Sequence, residues 1–274
     1  MLRLGWFSTG RGEGSLGLLR FIQERIQQRK LDAEIQFVFS NRQPGEAEGS
    51  DRFFQQVRQY GLPLLNLSSA EFRRARGRPF SRLREEYDQH AMALLRDYRP
   101  DLCVLAGYML IVGPALCRTY PLLNLHPALP DGPTGTWQEV IWKLIEQRAF
   151  RTGAMMHLAT EDVDRGPVIS YCTAPIVGKE FDPHWEALDS LELAQVKAAQ
   201  GEAFPLFQLI RQAEYRREPY LLMETLRVIA QGKINVRNGQ AWDWSGRLLY
   251  ATMPFGMCLD PEIDQAMRED TADP

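Results

Sequence analysis

A chain of 274 residues, 45% hydrophobic and 24% charged, is long enough to bury about three quarters of its unfolded surface, and this composition excludes a disordered or fibrous protein. The net charge of −3 provides no whole-chain attraction to phosphate backbones, so nucleic acid is not an expected partner. Four scattered cysteines (Cys103, Cys117, Cys172, Cys258) form no Cys-x-x-Cys pair and no zinc spacing, which points to a reducing compartment.

Residues 1–10 carry one arginine and too short an apolar stretch for a signal-peptide core, so they are expected to form a first strand of a cytoplasmic protein. The strand at 2–7 leads into a glycine loop, Gly10 to Ser15, and then into a helix with Leu18, Leu19, Ile22 and Ile26 on one face. A second strand is expected at 35–39, a helix at 52–60 and a short strand at 64–67. A helix at 82–98 should bury Tyr87, Ala91, Leu94 and Leu95. The uncharged run 102–117, broken by Gly107, Gly113 and Pro114, falls short of the roughly 20 residues that span a bilayer. It reads as a buried strand at 102–106 followed by a loop, and no membrane partner is expected.

After the apolar run Leu122 to His126 comes a Pro- and Gly-rich loop and an amphipathic helix at 137–147. Strands at 154–160 and 168–176 flank a turn holding Asp164. Helical stretches at 188–215, interrupted at Pro205, and at 220–231 precede a hairpin, 234–236 and 241–244, turning at Asn238-Gly239. Strands alternating with helices imply an α/β fold, a doubly wound, mostly parallel sheet, with residues 188–274 as a helical and hairpin extension on a catalytic domain of residues 1–187.

Asn124, His126 and Asp164 each end or follow an apolar strand. Residues two apart on a strand face the same way, so Asn124 and His126 can enter one cleft. An amide donor beside an imidazole suits a reaction that builds negative charge on a carbonyl oxygen, and a nearby carboxylate would orient the imidazole. Taken alone, a histidine at a strand end is more often satisfied by backbone.

The stretch Leu123-Asn124-Leu125-His126-Pro127-Ala128-Leu129-Pro130, with Gly135 after it, resembles the signature of folate-dependent formyltransferases. So does His157 followed by Asp164-Arg165-Gly166-Pro167-Val168-Ile169. Further likeness lies in Val38 to Asn41, Arg84 to Asp88, Val104 to Met109, Gly232 to Ile234 and Asn238 to Trp242. The resemblance implies transfer of a formyl group from the cosubstrate 10-formyltetrahydrofolate to a small-molecule amine, that of glycinamide ribonucleotide in purine synthesis, without a metal. Alternatives are another amine such as an amino sugar nucleotide, hydrolysis of the formyl-folate, or a catalytically inactive folate-binding protein.

The same resemblance implies that Asn124 and His126 act on the formyl oxygen while Asp164 holds His126 and moves a proton through water. The pteridine would lie against Met109, Leu110, Ile111 and Val112 and the loop Thr160, Glu161, Asp162. The acceptor's phosphate belongs at Gly12, Gly14 and Ser15, because N–H groups at a helix start bind anions, although such a loop is also a common tight turn. Here the loop departs from the family, carrying Arg11 and Glu13 and having Leu16 where an asparagine is expected. Gln200 falls where an acceptor-binding glutamate is expected, and Leu110 where a charged residue is common.

Arg73, Arg74, Arg76, Arg78, Arg82 and Arg84 form a basic cluster, read as a solvated face, as contacts to a substrate phosphate or the folate glutamate tail, with Arg84 the best match to a family arginine, or third as an RNA contact. The segment 206–227 reads as core cover or as the contact of a homodimer.

Overall fold

The computed structural model describes residues 1–162 and 165–272. It begins with β1 (Leu2–Phe7), α1 (Glu13–Gln27), β2 (Ala33–Ser40), α2 (Glu48–Gln59), β3 (Leu64–Asn66), α3 (Ser69–Arg76) and α4 (Arg84–Leu95). Next come β4 (Leu102–Leu105), α5 (Pro114–Thr119), β5 (Leu122–His126), α6 (Trp137–Glu146), β6 (Arg151–Leu158), β7 (Val168–Pro175), α7 (Asp182–Leu188) and α8 (Leu193–Gln200). The chain closes with α9 (Pro205–Ala230), β8 (Ile234–Arg237), β9 (Gln240–Asp243), α10 (Leu249–Thr252), β10 (Met257–Cys258) and α11 (Asp260–Ala272).

Packing defines two units, the first made of Met1–Leu125, His157–Pro167 and Leu226–Pro254. In it the strands run in the order β5-β4-β1-β2-β3, all parallel. The chain moves outward from β1 to β3 and then returns to lay β4 on the other side of β1, so the order reverses between β1 and β4. Loops leaving a parallel sheet at such a reversal diverge and open a crevice. Register brings Phe7 level with Phe39 and Leu105, and Leu105 level with Asn124, so the strands end together. All four residues of β4 are buried, as expected of a strand covered on both faces. Phe7, Phe37, Phe39, Phe72, Tyr87 and Leu95 pack one face of this core.

The expected burial of Leu94 is corrected, since it is 42% exposed. The buried stripe of α4 runs through Tyr87, Asp88, Ala91 and Leu95 and is turned toward Asp88, which accepts a backbone hydrogen bond inside the core. Two short helices also stand where no helix was expected, α5 in place of the loop after β4. In α3, Ser68 Oγ caps Glu71 N at 3.0 Å and Gly77 ends the helix with φ 60°, the Ser-x-x-Glu and glycine signals of a start and a stop. Pro114 opens α5, where its fixed φ and missing N–H are tolerated.

The second unit is His126–Met156, Val168–Thr225 and Phe255–Pro274. There β7 lies between β6 and β10, and β10 runs parallel to β7. A reciprocal capping box starts α6: Thr136 Oγ1 accepts from Glu139 N, and Glu139 Oε2 accepts from Thr136 N at 2.8 Å. Its Val140, Ile141, Leu144 and Ile145 form one core with Phe204, Phe207 and Ile210.

A break between 215 and 220 was expected, yet α9 continues through Pro219 for 26 residues. A proline inside a helix costs about 3 kcal/mol. Buried Ile210 and Glu214 before it and Leu221, Leu222 and Leu226 after it oppose a break, because breaking the helix would expose them. Arg217 on α9 pairs with Asp260 at 2.9 Å and Asp264 at 2.7 Å and so holds α11. The Asn238-Gly239 hairpin forms as expected, both residues having positive φ.

Candidate active site

Beyond β1, Ser8 and Thr9 are buried polar residues that fix the start of the glycine loop. Ser8 Oγ accepts from Gly10 N at 3.0 Å, and Thr9 N donates to Gly107 O at 3.1 Å. Gly10 turns with φ 63° while lying against Phe53, where a Cβ would come within 2.9 Å of that side chain. Gly12 is extended and precedes α1 without a side-chain cap, so the N–H groups of the first turn, at Glu13, Gly14 and Ser15, are left for solvent or an anion. The Glu13 carboxylate lies 3.9 Å from Arg52. Gly107 passes so close to the same turn that a Cβ would stand 2.5 Å from Ser15 Oγ.

The segment Met109 to Val112 is held at both ends by buried side chains. Thr9 Oγ1 accepts from Met109 N at 2.9 Å and donates to Asn41 Oδ1 at 2.7 Å. At the other end Asp88 Oδ2 accepts from Gly113 N at 2.6 Å. Burial pushes the Asp88 carboxyl up to about 6, opposed by the Gly113 hydrogen bond and the charge of Arg84. Between these anchors Met109 and Ile111 are 60% and 47% exposed, while Val112 is buried. Large apolar side chains held open beside a fixed backbone suit a flat heterocycle. Arg84 lies alongside Gly113, its Nε buried and without a hydrogen-bond partner among the described residues.

Asn124 is half-buried in β5, two residues before its end, its Nδ2 3.1 Å from His157 Nε2. His157 is 1% exposed and its Nδ1 lies 3.1 Å from the Leu158 carbonyl oxygen. His126, two residues beyond Asn124, is 7% exposed and its carbonyl accepts from Ala128 N at 2.9 Å. Asp164 and Val163 lie outside the described residues. The loop that contains them leaves from Ala159, whose N–H donates to Leu122 O at 2.8 Å, and closes where Leu158 N donates to Pro167 O at 2.9 Å. Within it Thr160 Oγ1 donates to Asp162 O at 3.1 Å, and Glu161 pairs with Arg118 at 2.5 Å. Gly166 runs so close to β6 that a Cβ would fall 1.7 Å from Leu158 O.

In the second unit Gln200 is exposed at the last position of α8. Of the basic cluster, Arg73, Arg74, Arg78 and Arg82 are exposed. Arg76 lies 3.5 Å over the Phe72 ring and pairs with Glu86, and Arg84 is the half-buried member beside the 109–113 segment. Among the described residues no cluster of His, Cys, Asp or Glu is arranged to hold a metal, and no helix is long and apolar enough to cross a membrane. Thr9, Asn41 and Asp88 were not singled out by their own chemistry. What marks them in the sequence is position alone, each lying just past a strand or inside a helix stripe where an apolar residue would be usual.

Polar side chains gathered beyond the ends of a doubly wound parallel sheet, with an amide donor held in place among them, define an enzyme acting on small molecules. The family described as Formyl transferase matches residues 12–184, well over half of the chain, and the chain belongs to that family. It is 30% identical over 160 residues to phosphoribosylglycinamide formyltransferase of Escherichia coli (strain K12), covering 58% of this chain and 68% of that one. Among solved structures, a phosphoribosylglycinamide formyltransferase from Coxiella burnetii has the same fold, with TM-score 0.66 and 22% identity over 94% of this chain and 98% of that one. A formyltetrahydrofolate deformylase from Pseudomonas syringae also shares the fold, with TM-score 0.60 and 18% identity over 89% of this chain and 66% of that one. The expected fold class and family resemblance are thus both met.

Proposed function

We propose that this chain transfers the formyl group of 10-formyltetrahydrofolate to the amine of glycinamide ribonucleotide. Formyl transferases use a formyl-folate as cosubstrate, and similarity to the Escherichia coli relative named for this acceptor supports the acceptor assignment. The observation that carries the chemistry is the Asn124 amide, held by His157 near the carboxyl end of β5.

The acceptor amine attacks the formyl carbon, the bond from that carbon to the folate nitrogen breaks, and the proton lost by the amine is delivered to the departing folate nitrogen, which gives tetrahydrofolate. Negative charge gathers on the formyl oxygen as the amine adds. Asn124 Nδ2 and the His126 imidazole donate to that oxygen, which stabilises the addition more than the ground state. Asp164 orients His126 and takes the amine proton through water, a role assigned from its place in the family motif. The backbone of Met109, Leu110, Ile111 and Val112, with Thr160, Glu161 and Asp162, holds the pteridine. The first-turn N–H groups beyond Gly12, at Gly14 and Ser15, hold the acceptor phosphate, with Arg84 toward an anionic group, and Gln200 is assigned to the acceptor from its place in the family pattern alone.

Incubation with 10-formyltetrahydrofolate and a panel of phosphorylated amines tests this reading. Tetrahydrofolate and formylated glycinamide ribonucleotide should appear together. Formate release without a formylated amine would move the chain to the deformylases, and product only with a different amine would move the acceptor.

A further inference from the structure

We infer that His157 is a positioning residue, a neutral imidazole carrying its proton on Nδ1, which sets the Asn124 amide with its nitrogen as the donor. The inference rests on the donor role of Asn124 proposed above. Two contacts at opposite sides of the ring carry it. The Leu158 carbonyl, 3.1 Å from Nδ1, only accepts, so Nδ1 bears a hydrogen. Asn124 Nδ2, 3.1 Å from Nε2, only donates, so Nε2 offers a lone pair. In a neutral ring, one tautomer meets both demands. His157 is 1% exposed, so bulk water does not compete for these two contacts.

The consequence falls on Asn124. A primary amide presents nearly the same shape after a half turn, but the turn exchanges two donors for an acceptor. A carbonyl oxygen aimed at a forming oxyanion would repel it. By engaging one N–H of Nδ2, His157 holds the nitrogen on this side and leaves the second N–H for the substrate. His157 touches neither substrate nor reacting atoms in this role and acts through Asn124.

The direct test is long-range nitrogen-15 NMR of the ligand-free enzyme at about pH 8, where the spectrum reports which ring nitrogen is protonated. The His157 signals, among those of four histidines, are those lost in His157→Gln. Protonated Nδ1 with bare Nε2 supports the inference, and a proton on Nε2 overturns it. In kinetics, His157→Phe should lower kcat by about 10- to 100-fold, below the ~10²- to 10³-fold cost of deleting a donor, with the folate KM nearly unchanged. His157→Gln should recover much of the loss, because its Oε1 can accept from Asn124. In an Asn124→Ala background, His157→Phe should cost nothing further, and additive losses would overturn the inference. Should His157→Phe fail to fold, the spectrum and the His157→Gln kinetics decide. Normal turnover in Asn124→Ala alone would instead remove the donor role proposed above, leaving the tautomer to the spectrum.

Discussion

Thr9 and Met109, a hundred positions apart, share a hydrogen bond in which the threonine hydroxyl accepts from the backbone N–H at 2.9 Å while donating its own hydrogen to Asn41. One buried hydroxyl thereby joins the segments that follow β1, β2 and β4. Thr9→Val keeps the shape and removes both bonds, leaving the buried Asn41 Oδ1 without this donor and the part-buried Met109 N–H without its acceptor. Leaving such a group unsatisfied costs about 1–3 kcal/mol. Thermal or denaturant unfolding should show that loss, and steady-state kinetics should show a raised folate KM with a smaller change in acceptor KM. Thr9→Ser, which keeps the hydroxyl, should behave like the parent. Equal effects of the two substitutions would mean that the methyl group matters more than the bonds.

Turnover should separate from folding at the proposed catalytic residues. Losing a preorganised oxyanion donor costs on the order of 10²- to 10³-fold in turnover. Asn124→Ala and Asp164→Asn should each lower kcat strongly while melting temperature and folate affinity change little. If folate binding falls in step with kcat, these side chains bind rather than catalyse.

The opening turn of α1 should bind an anion. Inorganic phosphate is expected to compete with the acceptor and not with the folate, because the exposed N–H groups lie at the start of α1 and Glu13 is directed to Arg52. Gly14→Leu should raise the acceptor KM above the folate KM. Phosphate inhibition competitive with folate would place the anion elsewhere.

A buried carboxylate in the second unit makes stability fall with rising pH. Glu214 is 1% exposed, and burial pushes its carboxyl up to about 8, against a Thr152 hydroxyl donating at 2.5 Å and the nearby Arg211. With the folded value above the unfolded one, the folded state holds a proton that the unfolded chain releases from about pH 4.5 upward. The stabilisation is complete below that point and is lost as pH rises through about 8. Glu214→Gln keeps an acceptor for Thr152 and leaves Arg211 its partner Glu218. Melting temperature should therefore rise in the variant above pH 8 and depend less on pH between 5 and 8. An unchanged slope would locate the titration in another group.

Much of the fold could be read from pattern. The buried run Leu102-Cys103-Val104-Leu105 and the alternation of strands with amphipathic helices implied the parallel sheet that β1 to β5 form. The gap left between the helical stretches ending at 215 and starting at 220 does not exist, because local propensity at Pro219 counts one lost backbone bond, while the burial of Leu221 and Leu222 is a tertiary effect. At the site, Asn124 and His126 stood out as polar residues ending an apolar strand. The link from Asn124 to His157 could not be read, since it joins side chains from strands 33 positions apart. Thr9 and Asp88 were hidden for the same reason, each becoming an anchor only when the chain brings Met109 and Gly113 to it.

Gly166 constrains how this chain can change over time. A methyl group there would come within 1.7 Å of the Leu158 carbonyl oxygen, closer than non-bonded atoms approach, and that neighbour is backbone that no rotamer change can move aside. Nearby positions can drift through intermediate side chains, but position 166 has no first step. A library saturating both 12 and 166, sorted for folded protein, should therefore admit many residues at Gly12, where a Cβ meets nothing within 4 Å, and return glycine at 166. The width of the gap between β6 and the strand-end loop is thus inherited as the absence of a side chain.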